Sequence, residues 1–216
     1  MALPGIGDPT SGPAATYAGR FRRSHVGRPG TVGQVILFVC TGNTCRSAMA
    51  EALLRTRFAE RAGENPAVAS AGTAVRDHGG TPVGATPEAV EVLAERGIDL
   101  TGHAGTPLTG ELLTSTDLVV AMTRRHEAAV GALDAVARSR TFLAGEVVRL
   151  GGQVGPRGDR TVGDWIRALD GARGGHFTTG RVADEVADPW GEPVEEYQRC
   201  ADRLDGICIG LARLLM

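Results

Sequence analysis

The chain has 216 residues, of which 42% are hydrophobic and 22% charged, a composition typical of one compact globular domain. No run approaches the roughly 20 apolar residues of a membrane span, and the N-terminal residues lack the basic and apolar regions of a secretory signal. The net charge is −2, and the folded part has no clustered basic patch of the kind that binds nucleic acid. We therefore expect a cytoplasmic protein without nucleic-acid or membrane partners.

The first 33 residues differ in character from the rest. Residues 1–33 are rich in Gly, Pro, Ser, Thr and Arg and show no hydrophobic periodicity, which is typical of a disordered or loosely attached tail. The one local cluster of arginines, between residues 20 and 28, lies in this tail, where we expect it to be solvated. The folded domain is predicted to span residues 34–216.

A buried strand, a loop and a helix open this domain. The β-branched apolar run QVILFVC from Gln34 predicts a strand buried on both faces of a parallel sheet. The loop TGNTCRS follows, and its glycine and asparagine reach unusual backbone angles easily. Apolar residues at helical spacing between Met49 and Phe58 then predict a helix.

The same alternation continues along the chain. Further strands are predicted at 67–72, 117–123 and, more weakly, 140–144. Helices are predicted at 87–96, after the third strand, and from residue 195 to the end of the sequence. Alternating strands and helices predict an α/β fold with a doubly wound, parallel sheet of four strands flanked by helices.

One segment fits this alternation poorly. Helical pieces around Val147 and at Trp165–Leu169 are separated by glycine-rich gaps. We therefore predict a partly mobile excursion from the domain at about 144–187.

The chemistry is predicted at the end of the first strand, where Cys40 is followed by five residues and Arg46. A loop of this length can surround a tetrahedral dianion with backbone N–H groups, and the positive end of the next helix points at the same place. Arg46 can hold two phosphate oxygens, and the same groups stabilise a thiolate, so Cys40 is predicted to be a nucleophile towards bound phosphate. The alternative is a structural cysteine beside an arginine at a helix start. The residues predicted to bind phosphate are Thr41, Gly42, Asn43, Thr44, Cys45, Arg46 and Ser47.

This loop resembles the signature of the low-molecular-weight protein-tyrosine-phosphatase family, in the run LFVCTGNTCRSAMAEALL. The similarity continues in SAGT (70–73), GIDLTGH (97–103), DLVVAMTRRHE (117–127) and DEVADPWGEP (184–193). It covers most of residues 34–216 apart from 150–182. The resemblance implies a flavodoxin-like fold, a phosphorylated protein as substrate, inorganic phosphate as product, and no metal or other cofactor.

The resemblance also implies roles for individual residues. Cys40 matches the nucleophile, Arg46 the phosphate-binding arginine, and Asp188 the general acid that protonates the leaving group and then activates water. Alone, Asp188-Pro189 would be a turn, and the neighbouring acids do not match the motif position. The other matches are Asn43 and Ser47, which hold the loop, Ser70 and His103, which form a network behind it, and Trp190, which flanks the substrate entrance.

The phosphorylated group stays open between phosphotyrosine and phosphoarginine. Family members that act on phosphotyrosine commonly carry a bulky aliphatic residue before the second loop cysteine, whereas members that act on phosphoarginine resemble this chain in having threonine there, at Thr44. A small hydroxyl-bearing residue leaves room for a guanidinium and can form a hydrogen bond with it.

Two other functions are alternatives. Arsenate reductases share the fold and a similar loop but need two further relay cysteines, and this chain has none between Cys45 and Cys200. Cys200 and Cys208 fall in the final helix, where small buried apolar residues are expected. A phosphate-binding module without turnover is the other alternative.

Cys45 suggests a further hypothesis, that it traps an oxidised Cys40 as a disulfide and so protects the nucleophile.

Overall fold

A parallel sheet of four strands forms the centre of the computed structural model, which describes residues 34–60, 65–173 and 181–215. In spatial order the strands are β2 (Ala67–Gly72), β1 (Val35–Cys40), β5 (Leu118–Ala121) and β6 (Thr141–Leu143). A two-stranded antiparallel hairpin, β3 (Asp77–His78) and β4 (Thr81–Pro82), stands apart from this sheet. The α/β class and the parallel four-stranded sheet predicted from the sequence are confirmed.

The helices follow the strands in the predicted alternation. They are α1 (Arg46–Ala59), α2 (Pro87–Ala94), α3 (Gly110–Thr114), α4 (Arg124–Leu133), α5 (Ala144–Val154), α6 (Val162–Ala172) and α7 (Val194–Leu215), with short 3-10 helices at Ala135–Arg140 and Val182–Asp184. Helix α2 begins as its sequence predicts, with Thr86 accepting a hydrogen bond from the Ala89 N–H and Pro87 in the first turn. No helix in these described ranges is long and apolar enough to cross a membrane.

Strand β1 is buried on both faces, so each face of the sheet has its own apolar core. Ile36 and Phe38 belong to the larger core, together with buried residues of α1, α2, α5, α6 and α7. Leu37 and Val39 point the other way, into a smaller core with residues of α3, α4 and the 3-10 helix after α4. The alternation along β1 follows from the two-residue period of a strand, and it leaves Cys40 on the side of the larger core.

The segment predicted as an excursion contains helices α5 and α6, which cover the helical pieces expected around Val147 and Trp165–Leu169. Trp165 and Leu169 are buried in the larger core, and the Trp165 indole N–H donates to the Gly155 carbonyl over 3.0 Å. These helices are therefore part of the domain. The mobility predicted for 144–187 stays a prediction, and the predicted tail at 1–33 lies outside the described residues.

Candidate active site

Strand β1 delivers Cys40 to the carboxyl edge of the sheet, and residues 41–45 turn from there into helix α1. The Cys40 sulfur lies 2.9 Å from the Ser47 hydroxyl oxygen and accepts a hydrogen bond from the Asn43 N–H at 3.3 Å. Cys40 is 1% exposed. The sulfur is thus buried at the floor of the loop with hydrogen-bonding groups directed at it, the position expected of a nucleophile towards an anion bound in the loop.

Asn43 holds the shape of the loop. Its φ of 55° lies in the left-handed region, which asparagine tolerates better than most residues. The side-chain amide is fully buried and donates to Ser47 at 2.9 Å and to Ser70 at 2.8 Å, while its oxygen accepts from the Thr106 N–H at 2.8 Å. The loop is therefore fixed by contacts with three separate segments of the chain.

These bonds belong to one connected network. Ser47 accepts from the Asn43 amide, and its hydroxyl faces two groups, the Cys40 sulfur at 2.9 Å and the Ala71 carbonyl oxygen at 3.4 Å. Ser70 accepts the other amide hydrogen and donates to the Glu51 carboxylate over 2.6 Å. The Asn43 amide is thus linked through Ser47 to the sulfur and through Ser70 to Glu51.

His103 and Gly72 restrain the loop from outside. The His103 Nε2 atom lies 2.7 Å from the Asn43 carbonyl oxygen, so His103 supports the loop behind the sulfur. A side chain at Gly72 would stand 2.6 Å from the Thr41 carbonyl oxygen and 2.9 Å from the Asn43 nitrogen. Strand β2 therefore ends in a glycine because the loop backbone occupies that space.

Arg46 and Asp188 meet at the mouth of the loop. One guanidinium nitrogen of Arg46 lies 2.5 Å from Asp188 Oδ2, and another donates to the Val186 carbonyl at 3.3 Å. The second carboxylate oxygen of Asp188 is 3.8 Å from the Cys45 sulfur. Arg46 is 2% exposed, whereas the Asp188 side chain is 46% exposed, so the carboxylate stands between the buried guanidinium and solvent.

Trp190 lies at the rim. It is 61% exposed, and its backbone N–H donates to Asp188 Oδ1 at 3.3 Å. The Arg76 guanidinium lies 5.9 Å from the centre of the Trp190 ring, within range of a cation–π contact. All residues predicted for the site are thus gathered around one loop, and Arg76, which the sequence did not indicate, joins them.

Comparison with known proteins identifies the family. The family model described as low molecular weight phosphotyrosine protein phosphatase matches residues 35–149. The chain belongs to this family. It is 37% identical to the protein-arginine-phosphatase of Bacillus subtilis over 83% of this chain and 95% of that protein. It is also 41% identical to the low molecular weight protein-tyrosine-phosphatase Etp of Escherichia coli, over 51% of this chain and 69% of that protein.

Solved structures of the family agree with the fold. A mutant of YwlE from Bacillus subtilis superposes with a TM-score of 0.63 at 34% identity, covering 84% of this chain and 97% of that one. A YwlE arginine phosphatase mutant with a phosphorylated active-site serine gives a TM-score of 0.62 at 35% identity, covering 83% and 94%. The chain is therefore an enzyme, a protein phosphatase of the low-molecular-weight type, and its sheet is flavodoxin-like.

His126 is a residue of this phosphatase that the sequence analysis missed. It is 2% exposed in the first turn of α4, with Nε2 2.9 Å from the Thr41 hydroxyl and Nδ1 3.0 Å from the Thr123 hydroxyl. Burial, aided by the positive charge of Arg46, lowers its pKa to about 4, so the ring is neutral at pH 7. The sequence signal that could have pointed to His126 was its position shortly after β5. Because β5 pairs in parallel with β1, both strands end at the same edge of the sheet, where the loop after Cys40 lies.

Glu51 was missed as well, although its spacing was informative. It follows Ser47 by four residues on α1, and residues at that spacing share a helix face. Both residues therefore join the network of the Asn43 amide, Ser47 by direct contact and Glu51 through Ser70.

A buried charged cluster lies directly after His126. Arg173, at the end of α6, donates to the Thr141 carbonyl at 2.6 Å and to Glu146 at 3.0 Å, and it lies 3.8 Å from Glu127. All three charged side chains are at most 5% exposed. The guanidinium faces these two buried carboxylates and, at 3.9 Å, the partly exposed Asp170. Burial together with the charge of Glu146 raises the pKa of Glu127 to about 7 despite the attraction of Arg173.

The remaining cysteines are buried thiols. Burial raises the pKa of Cys45 to about 12 and that of Cys200 to about 12. Cys208 lies in the core, where its sulfur is 3.5 Å from the Ala50 carbonyl oxygen. All four cysteines are free.

Proposed function

We propose that this phosphatase acts on phosphoarginine side chains of proteins, with Cys40 as the nucleophile, Arg46 as the phosphate ligand and Asp188 as the acid and base. The observation that carries the choice of substrate is Thr44, a small residue with a hydroxyl in the loop. A relative matched along almost its whole length, the Bacillus subtilis protein, is named a protein-arginine-phosphatase, and this supports the same choice.

The surroundings of Thr44 suit a guanidinium. Its carbonyl accepts a hydrogen bond from the Thr86 N–H at 2.9 Å, which fixes the residue, and its hydroxyl lies over Gly42, where a Cβ atom would stand 3.3 Å from it. A planar guanidinium could lie beside this small side chain and donate to its hydroxyl oxygen. A larger aliphatic residue would fill the same space and offer no acceptor.

In the first step the Cys40 thiolate attacks phosphorus. Ser47 and the Asn43 N–H stabilise the thiolate until an S–P bond forms. The backbone of the loop and Arg46 hold the three equatorial oxygens, where negative charge spreads in the transition state. The P–N bond breaks as Asp188 gives its proton to the leaving guanidine nitrogen, so arginine departs and phosphocysteine remains.

In the second step water hydrolyses the phosphocysteine. Asp188, now ionised, takes a proton from a water molecule whose oxygen attacks phosphorus. The S–P bond breaks, the Cys40 thiolate is restored and inorganic phosphate leaves. The contact of Asp188 with Arg46 supports this role, because a carboxylate at the mouth of the loop is within reach of both the leaving group and an incoming water.

The rim residues complete the proposal. Trp190, two residues after Asp188, and Arg76, four residues after strand β2, are both exposed and lie against each other at the rim. We assign them to contacts with the polypeptide around the phosphorylated residue.

We further place the enzyme in the cytoplasm, where four free thiols are expected to persist, with no nucleic-acid partner.

The test is hydrolysis of phosphoarginine and phosphotyrosine peptides of the same sequence, with Cys40→Ser as the inactive control. We expect both activities to be lost in the control and phosphoarginine to have the higher kcat/KM in the wild type. Thr44→Ile should lower the ratio of kcat/KM for phosphoarginine to kcat/KM for phosphotyrosine by roughly 10-fold or more. A change of this size is typical when a site loses one polar contact with a substrate and gains a side chain that fits it poorly.

Other outcomes would change the assignment. A higher kcat/KM for phosphotyrosine, unaffected by Thr44→Ile, would leave a protein phosphatase but refute the choice of phosphoarginine. If folded protein turned over neither peptide but reduced arsenate with a thiol reductant, the arsenate alternative would hold. Binding of inorganic phosphate without any turnover would indicate a binding module.

A further inference from the structure

His126 contacts the first residue of the phosphate-binding loop, and the start of its helix is an exception among the helix caps. Four described helices begin at a threonine N-cap. At Thr86, Thr109 and Thr161 the hydroxyl accepts the backbone N–H three residues on, which is the usual capping bond. Thr123, the N-cap of α4, makes no such bond, and its hydroxyl instead lies 3.0 Å from Nδ1 of His126.

This exception has an energetic meaning. An N-cap side chain that accepts a helix N–H stabilises the start of the helix. At α4 that bond is replaced by one that fixes the angle of a buried ring. The ring's other nitrogen reaches the Thr41 hydroxyl, the first residue of the phosphate-binding loop. The start of α4 is therefore arranged around the orientation of His126.

Thr41 is held from two sides as a result. On the side of β2, the Ala74 N–H donates to the Thr41 carbonyl at 2.9 Å, and the neighbouring Thr73 N–H donates to the Cys40 carbonyl at 2.9 Å. On the side of β5, His126 holds the hydroxyl. The two strands that flank β1 thus each contribute to fixing the residue next to the nucleophile.

We propose that His126 is a positioning residue for the phosphatase reaction, which holds Thr41 and through it the Cys40 end of the loop. This role rests on the proposed function. The residues around Asn43 hold the far half of the loop, and His126 holds the near half. A neutral ring suits the task, because it fixes the hydroxyl without competing with Arg46 for the dianion.

Two substitutions separate the two bonds of the ring. Asparagine places an amide near the Nδ1 position, so His126→Asn retains the contact with Thr123 and loses the one with Thr41. Glutamine reaches the Nε2 position, so His126→Gln retains the contact with Thr41. Thr41→Val removes the same hydrogen bond from the loop side while keeping the side-chain shape.

The variants are compared by kcat and KM on a phosphorylated peptide and by calorimetric binding of inorganic phosphate. We expect His126→Asn and Thr41→Val each to lower kcat roughly 10-fold and to weaken phosphate binding by about 2- to 10-fold, as loss of one orienting hydrogen bond implies. The double variant should lose no more than either single variant, because both remove the same bond. His126→Gln should stay within about 2-fold of the wild type, since that bond is kept.

The proposal fails if His126→Asn keeps the wild-type kcat and phosphate affinity. It also fails if the Asn and Gln variants lose activity equally and in proportion to their loss of thermal stability, which is the result of a merely structural role. If His126→Asn does not fold, Thr41→Val alone decides. Phosphate binding is measured independently of turnover, so an inactive wild-type enzyme would refute the proposed function and still leave the effect of His126 on the loop measurable.

Discussion

Replacing Glu127 by glutamine should make the phosphatase more stable, and increasingly so as the pH rises. Glu127 is buried 3.8 Å from Arg173, whose guanidinium lies closer to Glu146, at 3.0 Å. Its Oε1 atom has no hydrogen-bond partner within the described residues. The ionised form is therefore poorly compensated, and Glu127→Gln removes its charge while keeping the shape of the side chain.

The magnitude follows from the pKa of Glu127, which rises from 4.5 to about 7 on folding. A carboxyl with a raised pKa contributes stability that is complete below pH 4.5 and is lost as the pH rises through 7. A shift of about 2.5 pH units corresponds to about 3 kcal/mol at most. The advantage of Glu127→Gln should thus grow from under about 1 kcal/mol at pH 5 to about 3 kcal/mol at pH 8.

The assay is urea unfolding of the wild type and the variant at several values between pH 5 and pH 8, read as the difference in free energy of unfolding. Using the difference cancels the titration of every group that the two proteins share. Glu91→Gln is the matched control, because Glu91 is an exposed glutamate on α2. An advantage that does not change with pH, or a wild type that is the more stable at pH 8, would refute the reasoning.

Three further predictions concern the loop. Asp188→Asn should lower kcat about 10²- to 10⁴-fold, as loss of a general acid does, and an unchanged kcat would assign the acid to another residue. The same variant should be inhibited more tightly by inorganic phosphate in steady-state kinetics, because Arg46 loses a competing carboxylate. The free energy of unfolding of Asn43→Gly should exceed that of Asn43→Ala by about 1 kcal/mol, because both variants lose the amide but only alanine is strained at positive φ. Equal free energies in urea unfolding would argue against that strain. If Cys45 traps an oxidised Cys40, the disulfide seen by mass spectrometry should form about tenfold faster for each unit by which the pH is raised. The reason is that the pKa of Cys45 is about 12, so its reactive thiolate fraction grows tenfold per pH unit. A rate independent of pH would exclude the Cys45 thiolate as the trapping group.

The sequence predicts those parts of this molecule that rest on local patterns. The apolar run of β1 and the Cys-x5-Arg loop after it are contiguous, so their periodicity and spacing were sufficient to predict a loop between β1 and α1 with Cys40 at its start. The helical pieces around Val147 and Trp165 were recognised for the same reason. Their place in the larger core was not, because glycine-rich gaps hide the tertiary contacts that bury them.

His126 and Arg173 could not be found in this way. His126 is 85 residues from Thr41, and it reaches the loop only because β5 pairs with β1. Arg173 is 32 residues from Thr141 and looks like any exposed arginine in a protein whose basic residues are all arginine. Contacts of this kind depend on strand order and helix packing, which local periodicity does not encode.

The burial of Arg173 has a consequence for redesign of the domain. The family model ends at residue 149, which makes residues 155–173 an obvious target for a shorter engineered version, although α6 contributes Trp165 and Leu169 to the larger core. Omission would remove the guanidinium and leave Glu127 and Glu146 as two buried acids without their shared counter-ion. A shortened enzyme would therefore need apolar residues in place of both glutamates as well as new residues to fill the core that α6 occupies, so Arg173 and the two acids can be redesigned only together.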